Sequence, residues 1–221
     1  MKIARYIDHA VLAPGMTPQQ IRDAIQLGID YEARTVCVHP RDIETAVEMC
    51  RGTQTDVSCV LDFPHGAGGL EVKRAMAAIV APKGILEIDM VMNYGAALGG
   101  DWDTVKKEIV AVVNEAHPKG VGVKVILETS ELDEETIKKA CEVSVEAGAD
   151  FVKTSTGFAS GGATVEAAKL MLDTVAGRAK VKPSGGIRTY EDAKRYVDMG
   201  ASRLGIGFKG TPKVCDGEPK E

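Results

Sequence analysis

The sequence predicts an α/β protein: a single-domain (β/α)8 barrel with a shortened or irregular C-terminal end. Three observations carry that prediction. Short β-branched runs alternate with helical patterns along all 221 residues, which implies a parallel sheet with right-handed crossovers. Several runs, VKVIL and RTVCV among them, are nearly unbroken apolar stretches, as expected of strands covered on both faces. Eight such runs fit in the chain, whose length is close to the roughly 250 residues of a typical barrel. An open doubly wound sheet is the alternative architecture for the same alternation.

The strand candidates, in order, are Tyr6–His9, Thr35–His39, Val57–Phe63, Ile85–Met92, Gly122–Glu128, Asp150–Lys153, Lys180–Pro183 and Ser202–Ile206. Between them lie helices with recognisable starts. Thr17, Pro18 and Gln20 read as a capping box with proline at the first helical position. Ser130 precedes ELDEETIKKACEVSVEAG, whose acidic first turn complements the helix dipole and whose Gly148 is a stop. Thr189 opens YEDAKRYVDMG with Asp192 three positions on and Gly200 at its end. After Ile206 the chain reads GFKGTPKVCDGEPKE. Its glycines, prolines and charges predict an irregular tail over about residues 209–221 in place of a full eighth helix.

Composition excludes several classes. The net charge is −5 and no long Lys/Arg run appears, so binding to the nucleic-acid backbone is not expected. No run reaches transmembrane length, and the opening MKIARYIDHA lacks the apolar stretch of a signal peptide. Cytoplasmic residence is the expectation. Five cysteines, Cys37, Cys50, Cys59, Cys141 and Cys215, make neither an even framework nor a C-x-x-C pair. Buried free thiols in a reducing compartment account for them. The four histidines (His9, His39, His65, His117) show no H-x-H or H-x-x-x-H spacing, so no metal site is expected. GIGFKG at 205–210 fits G-x-G-x-x-G, but no helix-forming length or following acid completes a dinucleotide site. No cofactor is expected.

The chemistry-bearing feature is a set of lysines on strands. GVKV, FVKT and KVKP place Lys124, Lys153 and Lys182 at a constant spacing of 29 (153 − 124 and 182 − 153). A constant βα period sets equivalent positions of adjacent strands side by side around a barrel. Buried ammonium groups are costly unless paired, and a single lysine of this kind is accounted for by snorkelling or an ion pair. Three in register point to the C-terminal mouth, where barrel enzymes keep their chemistry. A free-amine lysine condenses with a carbonyl, and both desolvation and a neighbouring cation lower its pKa. Lys153 is the candidate for that role, with Lys182 and Lys124 as neighbouring cations. Asp89, in ILEIDMVMN, lies on the face opposite Ile88 and Met90. It serves as an ion partner, a proton relay or both. Asp8, in YIDHA, is a weaker candidate for which pairing is favoured. Gly185 and Gly186 follow the Lys182 strand, where turn N–H groups hold an anion.

These residues, taken together, resemble deoxyribose-phosphate aldolases. The resemblance rests on FVKTSTGF at 151–158, VKPSGGIRT at 181–189, EIDMV at 87–91 and VKVILET at 123–129. IDHAVLAP at 7–14, VCVHP at 36–40 and FPHGAG at 63–68 follow the same order. It runs to about Gly205 and implies a (β/α)8 barrel that reversibly cleaves 2-deoxyribose 5-phosphate to acetaldehyde and glyceraldehyde 3-phosphate. It further implies Lys153 as the Schiff-base residue, Lys182 as its perturbing neighbour, Asp89 as proton relay and Lys124 as the residue that orders the network. Asp8, Thr154, Gly185, Gly186, Gly205 and Gly207 are the substrate contacts that go with it. A homo-oligomer, dimer or tetramer, is the implied assembly. The sequence departs from the family at GIGFKG, where a small hydroxylated residue is usual, and at Ala10 and Ala13, which replace a threonine and a lysine. Lys209 is a compensating group at that end. The competing readings are a class I aldolase for another aldehyde or sugar phosphate, and a non-catalytic sugar-phosphate binding barrel.

Overall fold

Eight parallel strands wind in chain order around a barrel axis in the computed structural model, which describes residues 2–219. They are β1 (Ile7–Val11), β2 (Thr35–Val38), β3 (Asp56–Leu61), β4 (Glu87–Val91), β5 (Gly122–Ile126), β6 (Phe151–Lys153), β7 (Lys180–Lys182) and β8 (Leu204–Gly207). Neighbours in sequence are neighbours in the sheet, and β8 returns to pair with β1. The seam between β7 and β8 closes through a single bridge, Ser184 to Gly205, with Gly205 N–H donating to Pro183 O at 2.8 Å. Every strand expected from the sequence is present, with ends shifted by a few residues. Tyr6, expected in the first strand, ends a 3-10 turn that leads into it.

The helices are α1 (Pro18–Asp30), α2 (Ile43–Cys50), α3 (Gly69–Val80), α4 (Tyr94–Leu98), α5 (Trp102–Ala116), α6 (Glu134–Glu146), α7 (Val165–Val175), α8 (Tyr190–Asp198) and α9 (Thr211–Asp216). The capping box at α1 forms as expected, with Thr17 Oγ1 accepting from Gln20 N–H and Gln20 Oε1 accepting from Thr17 N–H. Thr189 likewise caps α8. Ser130 does not cap α6. It lies in a 3-10 turn, and Asp133 takes the cap by accepting from Thr136 N–H at 2.8 Å. A carboxylate there satisfies an orphan donor and meets the positive end of the dipole.

Alternation along each strand divides the molecule into two interiors. Val36, Val38, Leu61, Ile88, Met90, Val123, Val125 and Val152 face outward and pack, buried, against the helices in the main hydrophobic cluster. Barrel interiors are commonly filled by branched apolar side chains; this one is charged. Asp8, Glu87, Asp89, Lys124, Lys153, Lys182 and Arg203 are all buried within it. Stability therefore comes from the outer layer, because a buried ion network contributes little net free energy.

The irregular tail expected over 209–221 is corrected in part. Residues 211–216 form α9, with Pro212 in its first turn and Val214 and Thr211 fully buried. Tertiary burial overrides the poor local propensity, and residues 220–221 lie outside the described range. The anchor is His9 on β1, whose Nδ1 lies 2.8 Å from Thr211 Oγ1 while Nε2 lies 2.8 Å from Ala24 O. The carbonyl accepts only, so Nε2 carries the proton and Nδ1 accepts from the threonine. Burial pushes this imidazole down from 6.5 to about 4, against the backbone bond to Ala24. A lowered folded-state pKa means that the unfolded chain takes the proton first as pH falls through 6.5, so stability is lost from there down to 4. Between pH 7.5 and 5 the urea-unfolding free energy of the natural protein should fall by about 2 kcal/mol more than that of His9→Gln. Parallel pH dependences would show that His9 is not the titrating group.

Candidate active site

Strand register brings the lysines together, and the stagger of the barrel decides which. Lys153 and Lys182 are direct partners across β6 and β7. Lys124 is not level with them: its partners are Asp89 and Phe151, whereas Lys153 pairs with Ile126. The equal sequence spacing of 29 thus gives one pair in register and one lysine a layer deeper. A stagger of two residues keeps Lys124 on the same face, so its amine still points inward.

Asp89 joins all three. Its Oδ1 accepts from Lys124 Nζ at 2.8 Å, and its Oδ2 accepts from Lys153 Nζ at 2.8 Å and Lys182 Nζ at 2.7 Å. Asp8 lies beneath, accepting from Lys182, from Arg203 at 2.7 Å and from Thr35 Oγ1 at 2.7 Å. Glu87 accepts from both guanidinium nitrogens of Arg203, at 2.8 and 2.9 Å, and pairs with Lys124 at 2.6 Å. Glu87 and Arg203 were not among the residues expected from sequence. The signal was available: each lies two positions from a residue already singled out, Asp89 and Gly205, and so shares its face.

The charge count singles out one amine. Four cations (Lys124, Lys153, Lys182, Arg203) face three carboxylates (Asp8, Glu87, Asp89). A buried unit of excess charge is costly, and the cheapest remedy is loss of one proton. Lys124 has three carboxylates in range and Lys182 two, but Lys153 has Asp89 alone, on an oxygen it shares. Burial accordingly lowers the Lys153 pKa; Asp89 opposes the shift and Lys182 reinforces it. For Lys182 burial acts in the same direction, but Asp8 and Asp89 outweigh it and the pKa is raised. Lys124 is raised as well, with burial overcome by Asp8, Asp89 and Glu87. Adjacent lysines are therefore shifted in opposite directions, Lys153 toward the free amine and Lys182 toward the cation, the split that suits imine chemistry with proton transfer. The Cys37 thiol nearby is pushed up by burial, which keeps it un-ionised.

Above the lysines, at the C-terminal ends of the strands, two cavities flank Phe158. One, of about 470 Å3, lies between the ends of β1, β7 and β8, and Ser184, Gly185, Gly186, Gly205 and Gly207 line it. The other, of about 350 Å3, is lined by Pro64, Tyr94, Glu128 and Thr156. Phe158 and Thr156 border both, and the Phe158 ring meets Phe63 edge-on at 5.3 Å. Gly205 permits the close seam, since a Cβ there would come within 2.2 Å of Ser184 Oγ. Gly185 and Gly186 adopt φ of 83° and 81°, the left-handed region that favours glycine.

Two expected substrate contacts are in the wall and border neither cavity. Asp8 is buried in the ion network. Thr154 is fully buried, accepting from Ser184 N–H at 2.9 Å and donating to Ser184 O at 3.2 Å, which ties β6 to β7. Glu128, not anticipated from sequence, holds φ 60° and ψ 60° and accepts from Thr156 Oγ1 at 2.5 Å. An acid in the left-handed region is strained. It holds the segment that follows Lys153 against β5.

Residues 2–209 match the family described as DeoC/LacD family aldolase. This chain belongs to that family. It is 48% identical over 206 residues, 93% of this chain and 89% of the relative, to a deoxyribose-phosphate aldolase of Caldanaerobacter subterraneus. To one from Thermococcus gammatolerans it is 48% identical over 207 residues, 93% of this chain and 92% of the relative. Among solved structures, a tetrameric deoxyribose phosphate aldolase from Aeropyrum pernix superposes with a TM-score of 0.88 at 31% identity, covering 97% of this chain and 89% of the other. The family resemblance and the barrel expected from sequence are thus both borne out.

The split between the two lysines is testable through pH. With Lys153 as the attacking amine proposed below, kcat/KM should rise as pH climbs through its lowered pKa. Lys182→Met removes a cation that disfavours the Lys153 ammonium and leaves Asp89 Oδ2 to Lys153 alone; both effects raise the Lys153 pKa. The acid limb of kcat/KM should move to higher pH, with kcat at neutral pH down about a hundredfold or more, in protein shown to be folded by circular dichroism. An unmoved limb would assign it to another group.

Proposed function

We propose that the chain reversibly cleaves 2-deoxy-D-ribose 5-phosphate to acetaldehyde and D-glyceraldehyde 3-phosphate through an imine on Lys153. The observation that carries this reading is the single Asp89 oxygen shared by the Lys153 and Lys182 amines. The names of the relatives supply the substrate.

The free amine of Lys153 attacks C1 of the open-chain sugar, forming a C–N bond as the carbonyl electrons move to oxygen and a proton follows them. Loss of that oxygen as water leaves the iminium, whose positive nitrogen draws electrons from the C2–C3 bond. The C3 hydroxyl loses its proton, the C2–C3 bond breaks, and glyceraldehyde 3-phosphate departs. The two-carbon enamine left on Lys153 takes a proton at C2, and water hydrolyses the resulting iminium to acetaldehyde. Each step moves one proton over a short distance. Asp89 and Lys182 lie beside the Lys153 nitrogen, and we assign that relay to them, with Lys124 holding Asp89 in place. The phosphate end is assigned to the larger cavity, which Gly185 and Gly186 line.

A cytoplasmic setting and a homo-oligomer complete the proposal; among the described residues no helix is long and apolar enough to cross a membrane. A class I aldolase for a different aldehyde is the second reading, favoured by the hydrocarbon that Ile206 and Phe208 bring to the larger cavity.

Borohydride should leave one ethyl group on Lys153 when added with acetaldehyde, and that group or the reduced five-carbon sugar phosphate when added with deoxyribose 5-phosphate, located by peptide mass spectrometry. Lys153→Leu should acquire no adduct and lose turnover to background. An adduct with another aldehyde but with neither of these two would favour the second reading. Folded protein that takes no adduct from any of them would sink the imine mechanism.

A further inference from the structure

The segment after β8 brings a charge into a cavity that otherwise lacks one. Ala10, Leu12, Ile187, Ile206 and Phe208 give the larger cavity a mostly hydrocarbon wall. Among the described residues, Lys209 is the only ionisable side chain that lines it, and no carboxylate does. Lys209 is exposed and meets no carboxylate within ion-pair distance among those residues. Its Nζ lies 5.7 Å from the centre of the neighbouring Phe208 ring. Phe208 is held in turn: its N–H donates to Ala10 O at 2.9 Å, and the ring packs on the main core. The ammonium therefore sits on a fixed aromatic platform at the cavity rim, with its donors unused among the described residues.

Gly186 and Ile187 line the same cavity, and their backbone N–H groups donate to nothing among the described residues. N–H dipoles alone supply partial charge, whereas a phosphate monoester carries close to two negative charges near pH 7. Against a hydrocarbon wall such an anion needs a full counter-charge, and Lys209 is the residue that has one to give.

Resting on the function proposed above, we infer that Lys209 is the phosphate-neutralising residue of this chain and sets its preference for phosphorylated over unphosphorylated sugar. Phosphate is remote from the C2–C3 bond, so loss of this contact acts mainly on KM.

The experiment compares kcat/KM for 2-deoxyribose 5-phosphate and for 2-deoxyribose in the natural protein, Lys209→Gln and Lys209→Arg. Lys209 is exposed, so neither variant disturbs the core. The ratio of the two values should fall tenfold or more in Lys209→Gln, through KM for the phosphorylated sugar, in line with the loss of one charge-assisted hydrogen bond. Lys209→Arg should keep most of the ratio. A ratio that survives Lys209→Gln overturns the role of Lys209 and leaves the aldolase reading intact. A natural protein that cleaves neither sugar overturns both.

Discussion

Oδ2 of Asp89 lies within hydrogen-bonding distance of two lysine amines, and the rest of the structure follows from keeping it there. One carboxylate oxygen cannot neutralise both amines in a buried site. Lys182 has a second carboxylate in Asp8, and Lys153 does not. The difference in partners, more than any difference in burial, lowers the pKa of one lysine and raises that of the other. Arg203 and Glu87 complete the lower layer and fix Asp8 and Lys124, which in turn fix the orientation of Asp89. A closed sheet is what makes this possible, because the network spans β1, β4, β5, β6, β7 and the approach to β8, which meet only across a barrel axis. Such a network offers little net stability. The hydrocarbon layer between sheet and helices offsets the cost of burying it, and strict alternation along the strands keeps the two kinds of interior apart.

The strands were legible because runs such as TVCV and VKVI have few alternatives once they recur between capped helices. The lysine pair was legible for a related reason, since a charged residue within an apolar run breaks the pattern that surrounds it. Relative height around the barrel was not. Sequence spacing counts residues along the chain, whereas the level of a side chain also depends on stagger between strands, so Lys124 reads as level with Lys153 and lies a layer lower. Glu87 and Arg203 carry a weaker signal, because they lie at or beside strand starts, where charge is ordinary. The α6 cap was misplaced because Ser130 and Asp133 are both good caps, and the choice between them belongs to the 3-10 turn at Thr129–Glu131. Helix α9 was unreadable because its stability lies in the pocket that receives Val214 and in the bond from Thr211 to His9.

The site was legible in proportion to how far its chemistry lies in side chains. Lys153, Lys182 and Asp89, to which the reaction is assigned in the proposal, carry ionisable groups that only those residue types provide. Gly185, Gly186 and Gly205 act through what they lack, a Cβ, and only the fold reveals what that absence makes room for. Thr154 shows the converse. Its position directly after Lys153 suggests contact with substrate, yet its hydroxyl exchanges both hydrogen bonds with the Ser184 backbone and so sets the spacing of the two lysine strands.

The two ends of the site also differ in how freely they can change. Every member of the ion network is buried and contacts at least one other member, so replacing any one changes the charge balance that its partners feel. The segment over 205–210 is bound by no such condition: Gly207 and Lys209 are exposed, and Phe208 is fixed through its backbone and one ring face. Substitutions there alter what the cavity recognises without altering the charge balance below it. A barrel built this way can keep its imine chemistry fixed while the loop after β8 changes its substrate contacts. That is why departures at GIGFKG, Ala10 and Ala13, all around one cavity, are compatible with an intact set of lysines, and why substrate preference and reaction type are separate questions in this chain.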